Sequence, residues 1–303
     1  MKIAVIVPTL NAGTFWNDWI EAFKSQSQKV HSVLIIDSGS EDNTVILSRQ
    51  SNFEVHEINK SDFNHGGTRQ LALNMLDDID IVVYLTQDAI LANEHSLSEL
   101  LDIFSDNTVG AAFGRQLPRK QAKPIEAHAR LFNYSATSAL KDHNEIAKQG
   151  FKLIFFSNSF AAYRVSALRQ IGGFPDNVIL GEDTYVCAKL ILANWKVAYQ
   201  SQACVYHSHD YSITEEFRRY FDTGAFHNQQ RWLIDKFGEP GGYGLKFVKS
   251  ELSYLLRNSP QYIPEAILRT ISKYIAYKLG RHEKNIPDKL KFRLSMNRQY
   301  WQT

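Results

Sequence analysis

Five short polar clusters in this chain carry side chains able to do chemistry, and each ends a strand-like run or opens a helical one. Asp37-Ser38-Gly39-Ser40 closes the apolar run from Val33 to Ile36. A carboxylate there can accept from a nucleobase N–H or a ribose hydroxyl, and Gly39 lets backbone approach a ligand. Ser40 to Asp42 read as acidic and hydroxyl caps of the next helix, whereas Asp37 precedes the turn with no expected capping duty. Phe63-Asn64-His65-Gly66-Gly67-Thr68-Arg69 is a glycine-rich turn opening a helix. Its amides, with His65 and Arg69 nearby, suit a diphosphate, although an ordinary loop-to-helix junction has the same pattern. Thr86-Gln87-Asp88 follows another strand, and Asp88 can be a divalent-cation ligand or a plain turn residue. Gly181-Glu182-Asp183 offers two acids before a helix, as dipole-complementing caps or as a general base with its neighbour. His207 and His209 stand two apart on an extended segment, so both rings face one side and can reach one ion or one phosphate.

The elements that must position these clusters alternate as strand, helix, strand. Ile3 to Val7 is a β-branched buried-strand run ended by Pro8, and Trp16 to Phe23 has helical spacing. Val33–Ile36, Phe53–Ile58 and Ile81–Leu85 read as further strands, with helices at Thr44–Arg49 and Thr68–Leu76 between them. A mostly parallel sheet follows, with ligand-binding polar clusters outside its carboxyl edge. Beyond it, Gly110–Gly114 and a run within Phe151–Tyr163 look like strands, and Pro118–Asp142 like a mobile loop with helical parts. Val165–Ile171 and Asp183–Ala193 read as helices, and Val197–Tyr199 and Cys204–His207 as two closing strands. After about Thr214 the pattern is wholly helical. The expected organisation is an α/β catalytic domain at residues 1–213 and a basic amphipathic helical region at 214–303.

With 303 residues, 44% hydrophobic and 22% charged, the composition is that of a globular protein with an ample core. Cys187 and Cys204 are too few for a disulfide framework and read as buried small hydrophobes in a reducing compartment. The short apolar start is no signal peptide, and no run is long enough for a membrane span, so a cytoplasmic protein is expected. The net charge of +2 conceals segregation: residues 246–303 hold 12 Lys/Arg against 4 Asp/Glu, a balance of +8, leaving −6 for the rest. A basic tail suggests an anionic partner. Nucleic acid is disfavoured, because the acidic main domain would repel a phosphate backbone.

Taken in order, Ile6-Val7-Pro8-Thr9-Leu10-Asn11, Asp37-Ser38-Gly39-Ser40, Asp88, Gly172-Gly173-Phe174 and Glu182-Asp183 resemble the family 2 glycosyltransferases of the GT-A fold, over roughly residues 1 to 210. The clusters at Phe63–Arg69, Thr86–Asp88 and Gly114-Arg115-Gln116 look like the rhamnosyltransferase branch, which assembles bacterial surface polysaccharides such as O-antigen. The resemblance implies a nucleotide-sugar donor, dTDP-rhamnose, and a saccharide or lipid-linked saccharide acceptor. It implies that Pro8, Thr9, Asn11, Asp37, Ser38 and Gln87 line the nucleotide end of the site. His65, Gly67, Arg69 and Arg115 would meet phosphate or acceptor. Asp183 matches the family's catalytic base, with Glu182 beside it. Asp88 matches the last acid of the family's Asp-x-Asp metal motif, but Thr86 replaces the first. Apart from the resemblance, His207 or His209 would supply the missing ligand to Mg2+ or Mn2+, on our own reading of their spacing. Asn194-Trp195 replaces a glycine the family has late in the following helix. The implied mechanism is inverting.

A nucleotidyltransferase is the first rival, but the loop Pro8 to Gly13 has no Lys or Arg. A non-catalytic sugar-nucleotide-binding protein is the second, supported by the altered metal motif and opposed by Glu182-Asp183. The apolar spacing of three and four over residues 245–281, with Lys and Arg between, marks amphipathic helices. They would dock onto the catalytic domain, onto a second subunit in a homo-oligomer, or onto the cytoplasmic face of the inner membrane.

Overall fold

A computed structural model describes residues 1–302. Nine strands make one curled sheet: β1 (Ile3–Thr9), β2 (Ser32–Asp37), β3 (Glu54–Glu57), β4 (Ile81–Leu85), β5 (Ile90–Leu91), β6 (Val109–Leu117), β7 (Ala139–Lys141), β8 (Phe160–Arg164) and β9 (Lys196–Tyr206). Their order is β3-β2-β1-β4-β8-β6-β9-β5, with β7 pairing β9. The first four strands run parallel, β8 is antiparallel to both β4 and β6, and β9 returns parallel to β6. Parallel strands buried on both faces need unbroken apolar runs. Alternate residues of β1 serve the two faces accordingly, Ala4 and Ile6 in one core cluster, Ile3, Val5 and Val7 in the other.

Three sequence expectations change. Pro8 does not end β1: it pairs with Ile36, and the strand runs on to Thr9 opposite Asp37. The two expected closing strands are one strand of 11 residues, β9. Gly114 pairs with Gln200 and Arg115 with Cys204, so residues 201–203 bulge out of the ladder. Those polar residues look like a break in sequence but are an insertion into a continuous strand. Within the expected loop 118–142 lie the helix Pro124–Asn133 and β7. Cys187 is buried, as expected, while Cys204 is only partly so.

The helix Glu182–Leu192 ends with Asn194 at φ +65°, the left-handed position that glycine usually fills at a helix end. The helical C-terminal part starts at Ile213, behind a capping box made by Ser212 and Glu215. Its long helices Ile213–Gln229 and Ile263–Arg281 pack very closely. A Cβ on Gly280 would lie 2.0 Å from the Phe221 carbonyl oxygen, and one on Gly224 2.3 Å from that of Tyr277. No helix among the described residues is long and apolar enough to cross a membrane.

Candidate active site

At the carboxyl edge of the sheet lies a cleft of about 1090 Å³. Pro8, Thr9 and Leu10 after β1, Ser38 after β2, and Thr86 and Gln87 after β4 form its floor, with His65 and Arg69 to one side. Residues 60–64 and 176–179 form part of the wall, and the far end of the chain, Met296 to Trp301, forms another part. Asp222, fully buried on the helix Ile213–Gln229, anchors that segment. One oxygen of its carboxylate accepts from the Met296 and Asn297 amides at 3.0 Å each and from the Asn297 side chain at 3.1 Å. The sequence treats this segment as the end of a basic tail, and only the fold brings it to the cleft.

The end of the site at β1 and β2 is built by side chains that hold backbone. Asp37 is 0% exposed, and its carboxylate accepts four bonds: Gly39 N–H at 3.0 Å, Ser40 N–H at 2.7 Å, Thr9 Oγ1 at 2.7 Å and Ser40 Oγ at 2.6 Å. The expectation that Asp37 has no capping duty is therefore corrected: it closes the turn that follows β2, because a buried carboxylate needs its lone pairs filled. A base contact by Asp37 would have to displace one of these donors. Gln87 likewise clamps Leu10, accepting its N–H at 2.8 Å and donating to its carbonyl at 3.1 Å. Asn11, at φ +47°, accepts from Glu41 N–H at 2.8 Å and lies outside the cleft lining.

The glycine-rich helix start does something other than cradle phosphate through Gly67. Asn64 caps the helix His65–Asn74, its side-chain oxygen accepting from Gly66 N–H at 3.0 Å and Gly67 N–H at 2.9 Å, so both amides are already used. The helix instead locks onto the Gly172-Gly173-Phe174-Pro175 turn. Gln70 accepts from the Phe174 amide at 2.8 Å, and a Cβ on Gly66 would come within 1.7 Å of the Pro175 carbonyl oxygen. Gly66→Ala should therefore lower stability by about 1–3 kcal/mol. Gly67→Ala, whose Cβ would meet only ordinary contacts of 3.5 Å and beyond, should change it by no more than about 0.5 kcal/mol. Denaturant unfolding of the pair checks this, and equal losses would count against the close approach.

That docking brings Arg69 to the Glu182-Asp183 pair. Arg69 and Glu182 form a buried ion pair at 3.1 Å, and Arg69 also donates to the His65 carbonyl at 2.7 Å. Arg69 is thereby a partner of Glu182 rather than a free phosphate ligand. Asn158 donates to the same Glu182 oxygen at 3.0 Å and is itself held by the Tyr163 hydroxyl at 2.6 Å. Burial opposes the Glu182 charge, but Arg69, His65 and the Asn158 bond outweigh it and hold the carboxyl below its ordinary range. Asp183 has the opposite fate. Burial first, then the neighbouring Glu182 charge, push its carboxyl up to about 7 against donation from the Thr184 and Asn158 amides. Two adjacent carboxyls whose surroundings drive them apart in this way suit an ionised anchor and a proton acceptor. Gly181 makes the corner before them at φ +78°, where a Cβ would also meet the Phe226 ring at 2.9 Å.

The third cluster is the one the sequence places furthest apart. Asp88, His207 and His209 present ligand atoms all within 4.8 Å of one another, with both His Nε2 atoms near one Asp88 oxygen, at 3.3 and 3.5 Å. Gln116 donates to Ser157 and offers its oxygen to His207 Nδ1 at 2.9 Å. With Nδ1 held in this way, Nε2 of His207 points at the Asp88 carboxylate, the aim that a shared cation needs. Burial opposes charge on Asp88, but the bond and charge of His207 and the charge of His209 hold it well below the carboxylate range. Burial, with His207 adding to it, lowers His209 to about 3, so its ring is neutral at physiological pH. One carboxylate and two imidazoles fit a divalent ion, Mn2+ more readily than Mg2+, which prefers oxygen alone.

Six of the expected residues line the cleft: Pro8, Thr9, Ser38, His65, Arg69 and Gln87. Asn11, Asp37, Gly67, Asp88, Arg115, Glu182, Asp183, His207 and His209 do not. Arg115 donates to the Tyr134 carbonyl at 3.3 Å. Sequence reasoning missed Asn158 and Arg219, and gave Gln116 no role of its own within the Gly114-Arg115-Gln116 cluster. The Arg219 guanidinium donates to Tyr211 at 3.3 Å and is close enough to Asp183 and His209 for their charges to interact. No spacing signal could have found it, since it sits in an ordinary helical repeat.

A curled, mostly parallel sheet with acids and a candidate cation site at its carboxyl edge defines a GT-A type glycosyltransferase. The structure is similar to that of a mannosyltransferase from Pyrobaculum calidifontis solved with GDP-mannose and Mn2+, at a TM-score of 0.64 and 18% identity, covering 95% of this chain and 88% of that one. Residues 4–172 match the family model described as glycosyl transferase family 2. The chain is 47% identical over 302 residues to the O-antigen chain rhamnosyltransferase RfbN of Salmonella typhimurium strain LT2, covering 99% of this chain and 96% of that protein. To the O-antigen chain rhamnosyltransferase WbaN of Salmonella anatum it is 46% identical over 301 residues, with the same coverage. The chain belongs to glycosyl transferase family 2 and is a glycosyltransferase.

Proposed function

We propose that the chain transfers rhamnose from dTDP-rhamnose, with inversion, to a lipid-linked saccharide in the assembly of O-antigen. What carries the donor and pathway is the similarity, along nearly the whole length, to two rhamnosyltransferases of that pathway. In this scheme residues 1–213 are the catalytic domain and 214–303 a helical region that docks it. The reaction would take place on the cytoplasmic side of the inner membrane. Asp183 takes the proton of the acceptor hydroxyl as that oxygen forms its bond to the anomeric carbon. The bond from that carbon to the diphosphate breaks in the same step, and its electron pair leaves with the nucleotide. Glu182, kept ionised by Arg69, keeps the Asp183 proton affinity high and so makes it a stronger base. Pro8, Thr9, Ser38 and the Leu10 backbone held by Gln87 frame the nucleotide end. A divalent cation bound by Asp88, His207 and His209 would neutralise charge developing on the diphosphate.

A panel of dTDP-rhamnose, UDP-N-acetylglucosamine and GDP-mannose, each with and without Mn2+, tests donor choice. The dTDP-sugar should give the largest rise in melting temperature and be the donor consumed with an O-antigen saccharide acceptor. Turnover of another donor in its place would overturn the rhamnosyl assignment.

A further inference from the structure

The solvent side of the helix Ile263–Arg281 is apolar and its buried side is small or charged, the reverse of an ordinary surface helix. Ala266, Arg269, Ala276 and Gly280 face inward. The close approach at Gly280 leaves no room there for large side chains. The outward row is Ile267, Leu268, Ile271, Tyr274, Ile275 and Leu279, with Ile271 52% and Tyr274 63% exposed. Spacings of three, four and seven put them on one stripe of a helix about 28 Å long. The preceding helix, Tyr243–Asn258, also exposes Leu245 at 73% and Leu256 at 64%. An apolar stripe of this length on a surface marks an interaction site.

Charge decides between occupants. Residues 243–281 hold seven Lys/Arg and two Asp/Glu, a balance of +5. Of the two acids, Glu251 is buried and Glu265 is paired with Arg269 at 2.6 Å. Lys246, Lys249, Arg257 and Lys278 are exposed, the last over the Tyr274 ring. Two copies meeting through these two helices would set like charge against like, whereas an anionic bilayer offers both a hydrocarbon boundary and phosphate headgroups. We propose that the helix Ile263–Arg281 is a preformed docking face that lies in the plane of an anionic lipid surface, its apolar row in the headgroup boundary. Its purpose rests on the lipid-linked acceptor proposed above, and its evidence on the helix itself. Because the helix is already packed on the body of the protein, no ordering of a disordered segment opposes binding.

Flotation of the full chain with vesicles of phosphatidylglycerol and phosphatidylethanolamine, against phosphatidylcholine vesicles, tests this without any sugar nucleotide. Wild type should float with the anionic vesicles only. Ile271→Asp/Ile275→Asp and, separately, Lys246→Gln/Lys249→Gln/Arg257→Gln/Lys278→Gln should each weaken partition about tenfold or more. Both variants should keep the wild-type melting temperature, since these side chains are exposed. Wild type that stays unbound, or binds neutral vesicles equally, would overturn the proposal. So would a solution dimer that Ile271→Asp/Ile275→Asp dissociates, which would make a second copy the occupant. Flotation without rhamnosyl transfer would count against the proposed donor alone, and transfer to a water-soluble acceptor without flotation against the docking face alone.

Discussion

Asp183→Asn is expected to cut sugar transfer about a thousandfold, the usual contribution of a positioned base, while leaving donor affinity within about twofold. The amide keeps the shape, and its one oxygen can still accept from the Thr184 amide, which now bonds one carboxylate oxygen at 2.7 Å, while the longer 3.3 Å bond from the Asn158 amide to the other oxygen is lost. What it cannot do is take a proton. In the wild type kcat/KM should rise with pH through about 7, because the base works only when ionised and Asp183 is pushed up to about 7. Stability should move the other way. A carboxyl whose folded pKa is raised holds more protons folded than unfolded between its ordinary 3.8 and about 7. Stability therefore falls as pH rises through that window and stays lowered above it. Asp183→Asn removes the repelled charge, so it should melt above wild type at about pH 8, with the gap closing below about pH 4. Near-normal turnover in this variant would sink the base assignment.

The second large effect concerns the Asp88 cluster. Asp88→Ala should lower kcat/KM about a thousandfold, or about 4 kcal/mol of transition-state stabilisation. It should also abolish any rise in melting temperature caused by Mn2+. His209→Ala should keep some response, because Asp88 and His207 remain as ligands, with His207 aimed by Gln116 at 2.9 Å. Gln116→Leu separates aim from ligation. It leaves all three ligands but frees the His207 ring, so the metal affinity should fall about tenfold to a hundredfold. If Asp88→Ala still answers to Mn2+ as wild type does, the cation lies elsewhere. A full loss in Gln116→Leu without any change in metal affinity would remove its orienting role.

Much of the scaffold was legible because the signals were local. Five-residue β-branched runs such as Ile81–Leu85 can hardly be anything but buried strands, and the acids at their carboxyl ends stand where any parallel sheet exposes its ligands. The order of Asp37, Asp88 and Glu182-Asp183 along the chain likewise needed no coordinates. The expectation that the glycine amides of the Phe63–Arg69 turn stand free changes for an equally physical reason. Asn64 caps the amides, and that single side chain decides whether they are free. The two expected closing strands failed because a bulge and a break look alike until the partner strand shows its register.

By itself, then, the sequence determined the fold class, the edge of the sheet at which the acids gather, and the family to which they belong. The first two follow from periodicity and short-range spacing, which are properties of neighbouring residues, and the third from the resemblance of the ordered motifs to those of a known family. Only the tertiary structure decided the roles within the site. Arg69 reaches Glu182 across 113 positions of chain, and Gln116 reaches His207 across 91. Asp222 draws the last residues of the chain over the cleft. The same holds for the tail, whose amphipathic pattern was plain but whose outward face was not. The Gly224–Gly280 contact settles it, because only small residues let two helices come that close, and the large apolar side chains must then face out.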